Sequence, residues 1–204
     1  MSELPITPSP PESPPSPGIV VLGRFQPFHR GHESLLIAAE EWRRENADNH
    51  SLIIAIGSSN REESLQNPWS SDERSAMIEV WLSESGIRDA EIVSIPDIED
   101  PPNWVAHAEQ YHGMAGVLFT SDAPSAELYG EAGWQVMTTP LDNRESFEGW
   151  RVRETARMLS TIGDEEAVRA VLSQTVPSVV VEYMVRNDAL RRLAFLGEGG
   201  EPVG

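Results

Sequence analysis

Five short apolar runs punctuate the chain, and between them apolar residues recur at helical spacing. The runs are GIVVLG (18–23), SLIIAIG (51–57), AEIVSIP (90–96), AGVLFT (115–120) and WQVMTT (134–139). They read as strands, and their continuous Val/Ile/Leu character predicts burial on both faces. Helical patterns cover 32–45, 70–85 and 103–112, with another around APSAELYG (123–130). Ser70 followed three residues on by Glu73 fits a capping box at the start of the second helix. After 148 the pattern turns wholly helical, over 148–160, 164–173 and 177–196, and no internal repeat is visible.

Strand–helix alternation predicts an α/β fold: a doubly wound parallel sheet, Rossmann-like, with a C-terminal helical segment. Ligands in such sheets bind beyond the carboxyl ends of the strands. The loops that start at Gly23, Gly57, Pro96 and Thr120 are therefore the places to look for a site. Residues 1–17, MSELPITPSPPESPPSP, carry too few apolar side chains for a core and predict a disordered or polyproline-like tail. Residues 18–196 form the expected domain, and 197–204 a flexible end.

Composition alters this picture little. At 204 residues the chain suits one domain, and an apolar fraction of 39% suits a globular one. No apolar run reaches membrane-spanning length and no signal peptide is evident, so neither a membrane nor export is expected, and the predicted location is cytoplasmic. Cysteine is absent, which removes disulfides and thiolate metal sites. The formal net charge of −18, with 15 basic residues that are all arginine, argues against a nucleic-acid partner. Such acidity suits a halophilic surface, because salt screens self-repulsion; GC-rich coding is a competing cause of the missing lysine.

The loop after the first strand, GRFQPFHRGH (23–32), holds the densest chemistry. A strand end and a helix start coincide there, a place where free N–H groups and the helix dipole favour an anion. Gly23 and Gly31 permit close backbone approach. Pro27 stiffens the loop, and Phe25 and Phe28 can anchor it to the sheet. His29 and His32 each offer an N–H donor to a phosphate oxygen. They could equally cap the helix. A zinc site would need a third ligand, and none is evident.

GRFQPFHRGH closely resembles the signature of archaeal-type nicotinamide mononucleotide adenylyltransferases, within the H-x-G-H nucleotidyltransferase superfamily. The resemblance extends unevenly over 18–196, through IAIGSSN (54–60), NPWSSDERSAMI (67–78) and IPDIEDPPNWV (95–105). It implies a doubly wound parallel sheet and transfer of AMP from ATP to nicotinamide mononucleotide, giving NAD and pyrophosphate, with Mg²⁺ on the triphosphate. Carried over by motif, Arg24, Gln26, His29 and His32 would contact ATP, with the two histidines catalytic near the reacting phosphates, and Gly23, Phe25, Gly31 and Gly149 are expected among the nucleotide-binding residues. Trp104 would border the nicotinamide ring or pack helix to sheet. Asp97 would hold polar groups of the mononucleotide or stand as a solvated loop acid. Arg74 reads as structural; Asn67 and Trp69 would border the site or shape their loop. The family's rings and other assemblies imply a homo-oligomer.

The last motif departs from the pattern. The family shows [IY]-S-G-T-x-[IV]-R at a helix start that binds the β and γ phosphates; here the stretch is FEGWRVR (147–153). Gly149, Val152 and Arg153 are retained, with Arg153 expected in the catalytic set. Glu148 and Trp150 replace two hydroxyl donors. A carboxylate beside a triphosphate is repulsive unless metal or arginine intervenes, and Arg151 is adjacent. SDAP (121–124) also stands where the family has S-G-N-P. Three readings follow: a working mononucleotide adenylyltransferase, a nucleotidyltransferase with another phosphate-bearing acceptor, and a catalytically weak nucleotide-binding or regulatory protein.

Overall fold

The computed structural model describes residues 4–140 and 147–196. Five strands, β1 (Ile19–Gly23), β2 (Leu52–Ile56), β3 (Ala90–Ser94), β4 (Val117–Thr120) and β5 (Gln135–Thr138), form one all-parallel sheet in the order β3-β2-β1-β4-β5. All five predicted strands are present, trimmed by one or two residues at their ends. β1 is central, and Ile19 sits level with Leu52 on one side and Val117 on the other. The chain order reverses direction between β1 and β4, so the sheet has its switch point there.

Side-chain alternation along β1 divides the core into two layers. Ile19 and Val21 face α1 (Arg30–Asn46), α2 (Ser71–Ser85) and the C-terminal helices α5 (Gly149–Leu159), α6 (Glu165–Leu172) and α7 (Ser178–Arg186). Val20 faces α3 (Trp104–His112) and α4 (Ala123–Glu131). Both sheet faces are thus covered, as the continuous apolar runs require. The capping box of α2 is present: Glu73 N donates to Ser70 Oγ (3.2 Å) and Ser70 N to Glu73 Oε2 (2.9 Å). Gly86 ends that helix at φ +77°.

The expected single helix over 177–196 is corrected. α7 stops at Arg186, a turn through Asn187 and Asp188 follows, and a 3-10 turn covers Arg191–Ala194. Asp188 takes φ +50°, a left-handed conformation that Asp tolerates better than most residues and that a helix does not contain. Residues 4–17 form no helix or strand, but the segment is not free of the body: Pro5, Thr7 and Pro8 carbonyls all accept hydrogen bonds from it. The predicted end at 197–204 lies outside the described residues. Among those described, no helix is long and apolar enough to cross a membrane.

Candidate active site

A cleft of about 380 Å³ opens at the switch point, between the carboxyl ends of β1 and β4. Leu22, Gly23, His29, Gly31 and His32 form one wall. Thr120, Ser121 and Asp122, from the loop after β4, form the second. Phe147, Glu148, Gly149 and Trp150, at the start of α5, form the third. Two helix starts distant in sequence therefore meet across one space. A Cβ built on Gly149 would lie 3.8 Å from His29 Nε2, and one on Gly31 would lie 3.0 Å from Phe147 Cβ. Glycine at 31 eases the approach of the two helix starts, whereas a Cβ at 149 would make only an ordinary contact with His29.

The two imidazoles are locked in the same tautomer. His29 is the N-cap of α1, and its Nδ1 accepts from Gly31 N (3.2 Å). His32 Nδ1 accepts from His29 N (3.3 Å). With Nδ1 an acceptor on each neutral ring, the proton resides on Nε2. The rings stack at 3.7 Å between centroids, and Phe25 lies 4.6 Å from His32. Burial, then the nearby Arg153 cation, pushes His29 down to about 4; burial, then His29 itself, holds His32 well below the usual histidine range. At neutral pH the cleft is thus offered two uncharged N–H donors.

The backbone at the start of α1 is already occupied. Arg30 N donates to Thr175 O (2.8 Å), Gly31 N to His29 Nδ1, and His32 N to His29 O (2.9 Å). The free N–H groups expected at this turn are instead found at α5. Glu148 is its N-cap residue but makes no side-chain capping bond. The Glu148 carboxylate accepts from Trp150 Nε1 (2.9 Å) and Arg151 Nε (3.0 Å), and the Arg151 guanidinium lies 4.6 Å over the indole. Its charge is therefore met by the adjacent arginine. The Gly149 and Trp150 amides carry no hydrogen bond among the described residues.

Two cations stand near the cleft, and neither is among the residues that line it. Arg153 Nη1 donates to Gln26 O (2.8 Å) and Arg24 Nη2 to Gln66 O (3.2 Å), and neither meets a carboxylate among the described residues. Arg153 is held below the usual arginine range by burial and by Arg24. In a chain of net charge −18, two guanidiniums without carboxylate partners among the described residues, near two N–H-bearing rings, make this region the candidate anion site.

Other expected residues fall elsewhere. Phe25 is corrected from nucleotide contact to support: it is 1% exposed, packs under Gly23 and does not line the cleft. Gln26 is corrected from ligand contact to brace: Nε2 donates to Trp69 O (2.6 Å) and Oε1 accepts from Trp69 N (3.1 Å). Trp69 is buried, with its indole N–H on Ala189 O (2.9 Å), and so shapes its loop. Arg74 is structural, as read: its guanidinium donates to the carbonyls of Ser70, Arg24, Gly57 and Ser58, and burial lowers it to about 10. Asp97 and Trp104 stand on the other side of β1, beyond β2, at the end of β3 and the start of α3. The Asp97 carboxylate accepts from Arg61 Nε (2.7 Å) in a solvent-accessible ion pair. Trp104 is half-buried against the core of that face, 5.8 Å from the His107 ring. Thr120, Ser121 and Asp122 were missed as individual cleft-lining residues; the strand-end rule and the altered SDAP segment were their signals. Among the described residues no cluster of three or more His, Asp or Glu side chains is placed to hold a metal ion.

A family model described as cytidylyltransferase-like matches residues 20–177. Nicotinamide-nucleotide adenylyltransferases are similar in sequence: that of Picrophilus torridus is 31% identical over 89% of this chain and 98% of its own length. That of Ignicoccus hospitalis is 33% identical over 86% and 95%. In fold, the chain resembles a bifunctional NMN adenylyltransferase/ADP ribose pyrophosphatase from Francisella tularensis, with a TM-score of 0.62 and 20% identity over 88% of this chain. The chain spans about half of that longer protein, 53%. A second crystal structure of the Francisella protein is of its complex with AMP and a Mn ion.

Proposed function

The chain belongs to the cytidylyltransferase-like family, and from that membership we propose that it transfers AMP from ATP to nicotinamide mononucleotide, giving NAD and pyrophosphate. The observation that carries this reading for the site is the meeting of α1 and α5 at His29 and Gly149. ATP lies in the cleft, with its triphosphate between the two helix starts. His29 and His32 donate Nε2–H bonds to oxygens of the α and β phosphates. The free amides of Gly149 and Trp150, with Arg24 and Arg153, take the β and γ phosphates.

The mononucleotide binds at the ends of β2 and β3, near Gly57, Asp97 and Trp104. One of its phosphate oxygens attacks the α phosphorus in line. A P–O bond forms there as the bond to the β-bridging oxygen breaks, and pyrophosphate leaves with that electron pair. No group on the protein changes covalently. Charge grows on the leaving oxygens, where the uncharged N–H donors and the nearby arginines would offset it. Neutral imidazoles suit the task, since they donate without giving up a proton.

Mg²⁺ enters with ATP as part of the substrate. It takes phosphate oxygens and water readily and needs no protein cage, which agrees with a site built from N–H donors. The arrangement around Glu148 favours an enzyme over a weak nucleotide binder, because the carboxylate is turned onto Trp150 and Arg151 and leaves the helix start open. We also infer a cytoplasmic, salt-adapted protein, whose melting temperature should rise with molar KCl; an unchanged melting curve would refute the salt adaptation.

The test is direct. Purified protein with ATP, MgCl₂ and nicotinamide mononucleotide in high potassium salt should form NAD and pyrophosphate in equal amounts. Pyrophosphate released only with a different acceptor would reassign the substrate; ATP binding with no turnover on any acceptor would refute the reaction.

A further inference from the structure

The Pro/Ser-rich segment at the start of the chain ends up at the acceptor side of the sheet. It enters β1 at Gly18, at the amino end of the strands. Moving back along it, Pro15 passes Gly113, at the end of α3. Gly113 has φ +83°, and a Cβ there would run into the Pro15 carbonyl. Next, Pro8 O accepts from the Tyr111 hydroxyl (2.9 Å). Thr7 O then accepts from Ser59 Oγ (3.3 Å), and Pro5 O from Asn60 Nδ2 (2.9 Å). Ser59 and Asn60 follow β2 at its carboxyl end. A polyproline-like chain advances about 3.1 Å per residue, so 13 residues cover roughly 40 Å, ample to pass a five-residue strand and reach the far edge.

At that edge the segment joins a clasp. Asn60 grips Asp97 at both backbone groups: Oδ1 accepts from Asp97 N (2.7 Å), and Nδ2 donates to Asp97 O (2.9 Å). Its amide therefore ties the loop after β2 to the loop after β3. Ser59 N donates to Ile95 O (3.1 Å) across the same junction. A primary amide has two N–H donors. The Pro5 carbonyl takes the one that Asp97 leaves over and so fixes the plane of the Asn60 side chain.

We propose that the N-terminal segment is a positioning strap for the acceptor half of the site, acting through Asn60 on the loop that carries Asp97. The inference rests on the assignment of the mononucleotide to the ends of β2 and β3. It lies outside the part of the chain matched by the family, which begins at residue 20. A strap that holds the acceptor loops in their binding arrangement raises acceptor affinity and leaves ATP, on the far side of β1, unaffected.

The test compares the full chain with one lacking residues 1–16. Amide hydrogen exchange at Ser59 and Asp97, free of any substrate, should quicken by about tenfold in the shortened chain. KM for nicotinamide mononucleotide should rise about fivefold as the competent arrangement becomes less populated, while KM for ATP stays within about twofold. A synthetic peptide of residues 1–16 at millimolar concentration should restore part of both effects. Tyr111→Phe removes one anchor without touching either loop. It should quicken Ser59 exchange in the full chain and have no effect on the shortened one. If the shortened chain does not fold, Tyr111→Phe in the full chain carries the test. Unchanged exchange, an equal rise in both KM values, or a fall in the mononucleotide KM would overturn the proposal; the last would make the segment a plug. Exchange that responds while neither chain forms NAD counts against the assigned reaction and not against the strap.

Discussion

At the start of α1 the backbone is satisfied and the side chains face the cleft; at the start of α5 the backbone is open and the side chains bind one another. His29 caps α1, and every early amide there has a partner, so what α1 can offer the cleft is imidazole Nε2–H. Glu148 leaves α5 uncapped and turns onto Trp150 and Arg151, so the donors there are the Gly149 and Trp150 amides. The difference teaches why one motif must keep its side chains while the other can change them. A backbone donor survives replacement of the residue that carries it, provided the new side chain is held aside and the backbone keeps its course. An imidazole donor does not survive replacement.

The largest effect should come from the side-chain wall. His32→Ala should lower kcat for NAD formation by about 10²–10³-fold with little change in KM for ATP, the usual loss for one preorganised donor. A loss under tenfold would show that the α1 side chains do not carry the reaction. Arg153→Ala removes the cation that α5 contributes and frees the Gln26 carbonyl. It should cost about 10²-fold in kcat/KM and raise KM for ATP. An effect on the mononucleotide KM alone would move Arg153 out of the donor half.

Protonation tests the same wall without a mutation. His29 titrates near 4 in the folded chain, against an ordinary value of 6.5. Its folded value is depressed, so the unfolded state binds the extra proton between those values. The stabilisation from keeping it neutral is fully present above about 6.5. It is lost as pH falls toward 4, by about 2–3 kcal/mol. Melting temperature followed from pH 7 to 4 should fall across that window, and His29→Asn should flatten the fall. The smallest effect belongs to α5. Glu148→Ser with Trp150→Thr should improve KM for ATP by only about two- to threefold, because Arg151 already offsets the carboxylate. A tenfold gain would mean that Glu148 faces the triphosphate uncompensated.

Much of the fold was legible because burial on both faces forces continuous apolar runs, and all five strands follow from them. The break after Arg186 was not, since apolar spacing continues through Ala189, Leu190 and Leu193 and only the Asn187–Asp188 pair signals the turn. Sequence reading reached the cleft where the motif residues themselves line it, as at His29 and His32. It was misread where a polar side chain serves the protein's own backbone: nothing in the order of residues reveals that Gln26 meets Trp69, 43 positions away. The same holds for Asn60 and Asp97, whose pairing depends on two loops from neighbouring strands. The open amides of α5 lay beyond sequence reasoning for a further reason. They depend on which way Glu148 turns, and composition suggested repulsion there.

The central claim is that two uncharged imidazoles present Nε2–H groups to the triphosphate. Nitrogen-15 NMR of the histidine rings at pH 7, with a non-hydrolysable ATP analogue and Mg²⁺, tests it most directly. His29 and His32 should both show the neutral Nε2–H form, and their Nε2 signals should shift when the analogue binds. An imidazolium or an Nδ1–H form on either ring, or signals indifferent to the analogue, would contradict the account.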